Sequence, residues 1–168
     1  MRAIVRLNDG DDVPNYKTKL LQRLTALANT HSVLADGKWV AVSLKSLFDA
    51  ELQPYRSDTA QRIWLEGTDV TLEPVTAQAV SMAIHELGTN AAKHGALSTA
   101  DGDLNVSWSV DGGSVLKIRW VERSDHLAAS QEEARSGFGY VLLRELVERQ
   151  LNGSLSRRLS SGRFECVL

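Results

Sequence analysis

Residues 85–95 read HELGTNAAKHG, and this stretch decides how the chain is expected to fold and act. Upstream of it, Pro74 opens a run whose apolar residues recur at helical spacing, which predicts a helix that packs one side into a core. Within the stretch, Glu86, Asn90 and Lys93 lie at i, i+4 and i+7, so they share another side of the same helix. The helix is therefore expected to offer a carboxylate, an amide and a cation to a ligand.

These three groups suit a nucleoside triphosphate. A carboxylate can orient or deprotonate a nucleophile, an amide oxygen can ligate Mg²⁺, and a lysine can neutralise phosphate charge. Polar residues at this spacing are also common on the solvated side of an ordinary amphipathic helix. Spacing alone leaves both interpretations open.

The pattern E-x-x-x-N-x-x-K resembles the N box of the GHKL ATPase superfamily, and the longer string from His85 resembles the HWE subfamily of bacterial sensor histidine kinases. That subfamily is marked by a histidine in the N box and a Trp-x-Glu further on, which here would be His85, Trp120 and Glu122. Two glycines, Gly137 and Gly139, follow in the expected order and open a helix. Four elements in the right order make the resemblance specific.

The resemblance covers roughly residues 15–168 and implies both a fold and a chemistry. The implied fold is the Bergerat ATP-binding fold, a two-layer α/β sandwich, preceded by one helix of a dimerisation hairpin. The implied cofactors are ATP and Mg²⁺, with the metal on Asn90. The implied catalytic residues are Glu86, which activates or orients the phosphoryl acceptor, and His85 beside it. The implied nucleotide-binding residues are Asn90, Lys93, Glu122, Gly137 and Gly139.

The periodicity of the chain predicts the same fold class without the resemblance. Beyond the helix that begins at Pro74, the apolar period changes from 3.6 to 2, which predicts an antiparallel hairpin of strands 104–110 and 115–121. A helix over residues 140–150 and a final hairpin that turns at residues 161–162 are expected after it. Ser43 is expected to cap a helix that follows it, and Trp120 is expected to bury into the sheet. Helices layered on a mixed sheet form an α/β sandwich.

The first 35 residues are expected to form a separate part of the chain. A narrow apolar stripe predicts a helix from Asp12 to about residue 34, and such a stripe suits packing on another helix. The domain division is therefore residues 1–35, a tail and a helix that resembles the second dimerisation helix, and residues 36–168, the ATP-binding domain.

Composition and charge restrict the classes of function. The chain is 43% hydrophobic and 24% charged, as in a soluble globular domain, and its net charge of -2 gives no electrostatic reason to expect nucleic acid as a partner. Its one cysteine, Cys166, is expected in the core of the last strand and fits a reducing compartment. No apolar run approaches the ~20 residues of a membrane span, so a cytoplasmic location is expected.

The resemblance also implies partners. The first dimerisation helix of such kinases carries the phosphorylated histidine in an H-R-x-K-N type box, and this sequence contains no such box. His31 is interpreted as a packed or partly exposed histidine rather than a phosphoacceptor. The expected partners are a phosphoacceptor histidine domain outside this chain and a response regulator, and the missing helix leaves a homodimer open.

The sequence departs from the subfamily pattern after Glu122. Where the subfamily has a glycine pair and a proline, this chain has Arg123-Ser124-Asp125-His126. This departure and the missing acceptor box favour a degenerate, non-catalytic docking or phosphotransfer module, whereas the intact N box and glycine turn favour the catalytic region of a histidine kinase. A third hypothesis is a stand-alone kinase or anti-sigma-type regulator. The kinase region is the leading hypothesis.

Overall fold

The structure, a computed structural model, describes residues 41–56, 62–112, 115–125, 127 and 138–168. The predicted helix over residues 12–34, the domain division after residue 35 and His31 lie outside the described residues. The described part is a sheet with helices packed on one of its faces, so the predicted α/β sandwich is confirmed. Among the described helices, none combines the length and apolar character that crossing a membrane requires.

Three α-helices and seven strands are described. In chain order they are β1 (Val42–Ser43), α1 (Leu44–Leu52), β2 (Ile63–Gly67), β3 (Thr71–Leu72), α2 (Pro74–His94), β4 (Asp103–Asp111), β5 (Val115–Arg123), α3 (Phe138–Arg144), β6 (Ser156–Ser160) and β7 (Arg163–Val167). Short 3₁₀ turns, Gln53–Tyr55 and Ala96–Ser98, follow α1 and α2, and a π-helical segment, Glu145–Gln150, continues α3.

The main sheet has five strands in the order β2-β4-β5-β7-β6. The β2–β4 pair is parallel and the other pairs are antiparallel, while β1 and β3 form a separate two-stranded ribbon. The two predicted hairpins are confirmed as β4–β5 and β6–β7. The second one turns through Gly162, whose φ of 73° is the left-handed conformation that favours glycine.

The core lies between this sheet and the helices. Its largest fully buried side chain is Trp120 on β5, which confirms the expectation that this tryptophan faces into the sandwich. Helix α1 begins at the predicted cap, because the Ser43 hydroxyl accepts a hydrogen bond from the Ser46 backbone N–H at 3.4 Å. Helix α2 begins with Pro74, which suits the first turn because proline has no N–H to leave unpaired there.

The predicted helix over residues 140–150 is confirmed in its extent, but its second half is not α-helical. The α-helix ends at Arg144, and the following six residues are π-helical. At the end of this segment the Leu151 N–H donates to the Leu146 carbonyl at 3.0 Å, and Asn152 adopts a φ of 52°. The wider turn has no sign in the sequence, because the apolar spacing of residues 142–147 suits either kind of helix.

Cys166 lies in the core, as expected. Its side chain is buried on β7, and burial raises the pKa of its thiol to about 12. The thiol is therefore protonated at any pH at which the domain would be handled, and only the thiolate is a good nucleophile.

We expect Cys166 to resist alkylation in the folded domain. Iodoacetamide at pH 8 should label the thiol at least 100-fold more slowly in buffer than in denaturant, because the pKa of about 12 leaves very little thiolate at that pH. Mass spectrometry of timed samples measures both rates. Labelling of the native protein at the rate of a free cysteine would show that the last strand does not pack as described.

Gly67, at the end of β2, lies directly against the buried indole of Trp108. A Cβ atom placed there would lie 2.4 Å from atoms of the Trp108 indole. The indole has little room to move, since it stacks on Phe48 with 5.1 Å between ring centroids and its Nε1–H donates to the Thr68 carbonyl at 2.8 Å. The position therefore excludes any side chain unless the core shifts.

We expect Gly67→Ala to lower the free energy of unfolding by about 2 kcal/mol through overpacking. The matched control is Gly112→Ala, because a Cβ at Gly112 would have no atom within 4 Å, and its effect should stay within about 0.5 kcal/mol. Chemical denaturation of both variants measures the difference. Equal stabilities would mean that Trp108 does not occupy the space beside Gly67.

Candidate functional site

Helix α2 presents the three residues predicted to bind the nucleotide. Glu86, Asn90 and Lys93 lie on one side of it, the first two partly buried and Lys93 exposed. The buried residues of the helix are small or aliphatic, with one serine among them. They are Ala77, Ala79, Val80, Ser81, Met82, Ala83, Ile84, Leu87, Gly88 and Ala91.

The start of helix α3 meets this polar side of α2. A Cβ atom placed on Gly139 would lie 3.1 Å from Glu86 Oε2 and 3.3 Å from Asn90 Nδ2. The structure therefore brings together the predicted catalytic carboxylate, the predicted magnesium ligand and one of the two predicted glycines. Because Gly139 has no side chain, this space stays open between the two helices.

No described contact joins Gly137 or Lys93, the other predicted phosphate-binding residues, to the cluster of Glu86, Asn90 and Gly139. Gly137 lies outside the described residues. Lys93 shares a side of α2 with Glu86 and Asn90 and sits one turn further toward the end of the helix, together with His94. Two basic residues in the last turn also complement the negative end of the helix dipole.

Glu122 is buried near the C-terminal end of β5. Its side chain is 1% exposed, its Oε2 accepts a hydrogen bond from the Ala96 backbone N–H at 2.9 Å, and its Oε1 accepts one from Trp120 Nε1 at 3.0 Å. Ala96 begins the turn that follows α2. The carboxylate thus ties the end of the helix to the sheet, a contact that the sequence did not predict.

The segment that departs from the subfamily pattern is described at residues 123–125. The Ser124 N–H donates to the Gly162 carbonyl at 3.1 Å, and the Ser124 carbonyl accepts a hydrogen bond from the Leu127 N–H at 3.0 Å. The Ser124 hydroxyl also lies 3.0 Å from the Thr99 hydroxyl. Ser124 is therefore held by hydrogen bonds to the neighbouring hairpin and to the loop after α2.

His85 points toward helix α1. Its Nδ1 lies 3.1 Å from Oε2 of Glu51, and the other oxygen of Glu51 accepts a hydrogen bond from the Ser81 hydroxyl at 2.7 Å. The hydrogen bond of His85 Nδ1 is thus to Glu51 on another helix, and not to its sequence neighbour Glu86.

Sequence reasoning missed Glu51 and Ser81, although a signal for Glu51 was present. The buried residues of α1 are Leu44, Leu47, Phe48, Glu51 and Leu52, so the glutamate occupies a regular position of the apolar stripe. A charged side chain in the core needs a hydrogen-bonding or charged partner, and His85 on the predicted helix α2 was a candidate for that partner.

The sequence and fold resemble those of known proteins. Residues 1–69 match the family model described as HWE histidine kinase. The blue-light-activated histidine kinase of Rhizobium johnstonii is 35% identical over 156 residues, and blue-light-activated histidine kinase 1 of Erythrobacter litoralis is 32% identical over 159 residues. These matches cover 92% and 94% of this chain and 44% of each relative, so the chain spans less than half of their length.

Solved structures give the same result for the fold. The histidine kinase domain of the Erythrobacter litoralis blue-light-activated histidine kinase superimposes with a TM-score of 0.70 at 18% identity, covering 88% of this chain and 72% of that one. The catalytic domain of the histidine kinase ThkA gives a TM-score of 0.59 at 12% identity, covering 76% of this chain and 91% of that one.

The described residues share the fold of the histidine kinase domains in both structural matches. The sequence comparisons are more specific, since residues 1–69 match the HWE histidine kinase family and 92% of the chain aligns with a blue-light-activated histidine kinase.

We expect Glu122→Gln to destabilise the domain by about 2 to 3 kcal/mol, because hydrogen bonds to a buried charged acceptor contribute about that much. An amide has one acceptor oxygen, so either the Ala96 N–H or the Trp120 N–H would face an NH₂ group. Chemical denaturation measures the loss, with Glu66→Gln, the same change at an exposed position of β2, as the control. A stable variant that merely binds ATP more weakly would show that the carboxylate does not anchor the helix.

Proposed function

We propose that this chain is the ATP-binding catalytic region of a two-component sensor histidine kinase, which transfers the γ-phosphoryl group of ATP to a histidine outside this sequence. The observation that carries the proposal is the close approach of Gly139 to both Glu86 and Asn90. Two helices that are distant in sequence place a carboxylate, an amide and open backbone at one point. An ordinary solvated helix face would not need such a glycine.

The side chains at this point fit ATP with Mg²⁺. Magnesium prefers oxygen ligands and usually takes one or two from the protein, the rest coming from phosphates and water. Asn90 supplies the amide oxygen, Lys93 lies within the same helix side to neutralise phosphate charge, and the glycine-bearing start of α3 offers backbone N–H groups. When bound, ATP supplies the phosphoryl group and the metal neutralises its developing charge.

Glu86 is the candidate catalytic carboxylate. It orients the acceptor imidazole and takes up the proton that the ring loses when its nitrogen bonds to the γ-phosphorus and ADP leaves. Glu122 is the candidate adenine acceptor by its position in the Trp-x-Glu pattern. Catalysis in this scheme consists of positioning and charge neutralisation rather than covalent chemistry by the protein.

The partners follow from the same proposal. The acceptor histidine belongs to a helical phosphoacceptor domain, and a response regulator then receives the phosphoryl group. Two such domains in one dimer would allow transfer within or between chains. A cytoplasmic location accords with the need for cellular ATP.

We expect ATP to bind in titration calorimetry more tightly with Mg²⁺ than without it. Asn90→Ala should lose the Mg²⁺-dependent part of the affinity, about tenfold or more, which corresponds to about 1.4 kcal/mol. The matched control is Asn105→Ala, the same change on strand β4, which should bind ATP like the wild type.

Two results of this titration would count against the proposal. If Asn90→Ala and Asn105→Ala changed the affinity for ATP equally, Asn90 would not be a ligand of the metal. The absence of wild-type binding at millimolar ATP would favour the degenerate docking or phosphotransfer module.

A further inference from the structure

A buried carboxylate lies behind the active-site helix. Glu51 is 4% exposed on α1, where all the other buried residues are Leu or Phe. Each of its oxygens has a partner on α2: the Ser81 hydroxyl at 2.7 Å and His85 Nδ1 at 3.1 Å. Ser81 itself is fully buried, so the three residues form a polar network inside the contact between two helices.

The two partners of Glu51 determine where the hydrogen of a neutral His85 ring lies. A carboxylate without its proton only accepts hydrogen bonds, so the Ser81 hydroxyl and His85 Nδ1 must both donate to it. A neutral imidazole carries one hydrogen, and with that hydrogen on Nδ1 the other nitrogen, Nε2, is an acceptor. Nε2 is buried and makes no hydrogen bond to the described residues.

Stability alone does not account for this arrangement. A buried polar or charged cluster is often no more stable than apolar residues of the same shape, and α1 already supplies apolar residues at the equivalent positions of its stripe. A buried nitrogen without a hydrogen bond costs about 1 to 3 kcal/mol. Such a group in a folded protein calls for a role in recognition or chemistry.

The position of His85 suggests that role. It is the residue before Glu86, whose Oε2 lies at the meeting point of α2 and α3. A carboxylate on one nitrogen of an imidazole fixes the ring's orientation and makes the other nitrogen a better acceptor, which is how second carboxylates act on functional histidines in many enzymes.

We propose that Glu51 is a positioning residue for phosphoryl transfer that acts through His85: it holds the hydrogen on Nδ1 and keeps Nε2 as an acceptor, on the residue that directly precedes the catalytic carboxylate in the helix. Ser81 supports it by occupying the second oxygen of the carboxylate. This inference rests on the proposed kinase function for its kinetic consequence, but the tautomer of His85 stands apart from ATP binding.

The first test needs no nucleotide. Proton-detected ¹⁵N spectra of the full chain distinguish the two neutral imidazole tautomers, with His85→Gln used to assign the signals. We expect hydrogen on Nδ1 in the wild type and a shift of both ring nitrogens in Glu51→Gln. Hydrogen on Nε2 in the wild type, or unchanged signals in Glu51→Gln, would overturn the proposal.

The second test is kinetic. The chain is given ATP and, as acceptor, the Rhizobium johnstonii relative with its own nucleotide site inactivated, and labelled phosphohistidine is measured. Glu51→Gln should lower kcat about tenfold or more and leave the KM for ATP within about twofold, because the outer partner of a functional histidine typically contributes that much to activity. Glu73→Gln, the same change at an exposed position before α2, should transfer at the wild-type rate.

A double-mutant cycle separates positioning from a structural effect. If Glu51 acts through His85, then Glu51→Gln should lower kcat no further in a His85→Gln background. The inference would be overturned if the effects of Glu51→Gln and His85→Gln on kcat multiplied in the double variant, or if Glu51→Gln raised KM and left kcat unchanged. If the wild type neither binds ATP nor transfers phosphate, the proposed function fails, and the ¹⁵N spectra still decide whether Glu51 sets the His85 tautomer.

Discussion

Helix α2 packs against its neighbours through a buried surface that contains many small residues. Alanines at positions 77, 79, 83 and 91 are almost fully buried and belong to the same hydrophobic core as Trp120. Small side chains let the helix backbone approach its neighbours, and the resulting contacts fix the helix along its length. This packing therefore determines the positions of the candidate site residues on α2.

The close packing leaves α2 with two polar sides that do different work. On one, Gly139 of α3 approaches Glu86 and Asn90. On the other, α1 contacts Ser81 and His85 through Glu51, and a Cβ on Gly88 would lie 3.0 Å from the ring of Tyr55. His85 and Glu86 are adjacent in sequence but serve different sides, since successive helix residues point about 100° apart.

The sequence predicted what depends on local periodicity and on short motifs. The helix that begins at Pro74, both hairpins and the buried Trp120 are all set by spacing within a few residues, and the structure confirms them. The contact of Gly139 with Glu86 and Asn90 was expected only from the resemblance, because no spacing rule joins residues so far apart. The parallel pairing of β2 with β4 and the Glu51 network depend on tertiary packing, which local patterns do not encode.

Glu122 illustrates how a family motif can combine two roles. An ionised carboxylate has about four acceptor positions, and the Ala96 and Trp120 N–H groups each bind a different oxygen, so anchoring and the predicted adenine contact do not exclude each other. A carboxylate whose only role was to bind adenine would not need to be 99% buried before the nucleotide binds. Because Ala96 lies two residues beyond the end of α2, the anchor also helps to hold the last turn of the helix, which carries Lys93. Glu122 therefore supports the position of Lys93, the residue proposed to bind phosphate, whether or not it also contacts the base.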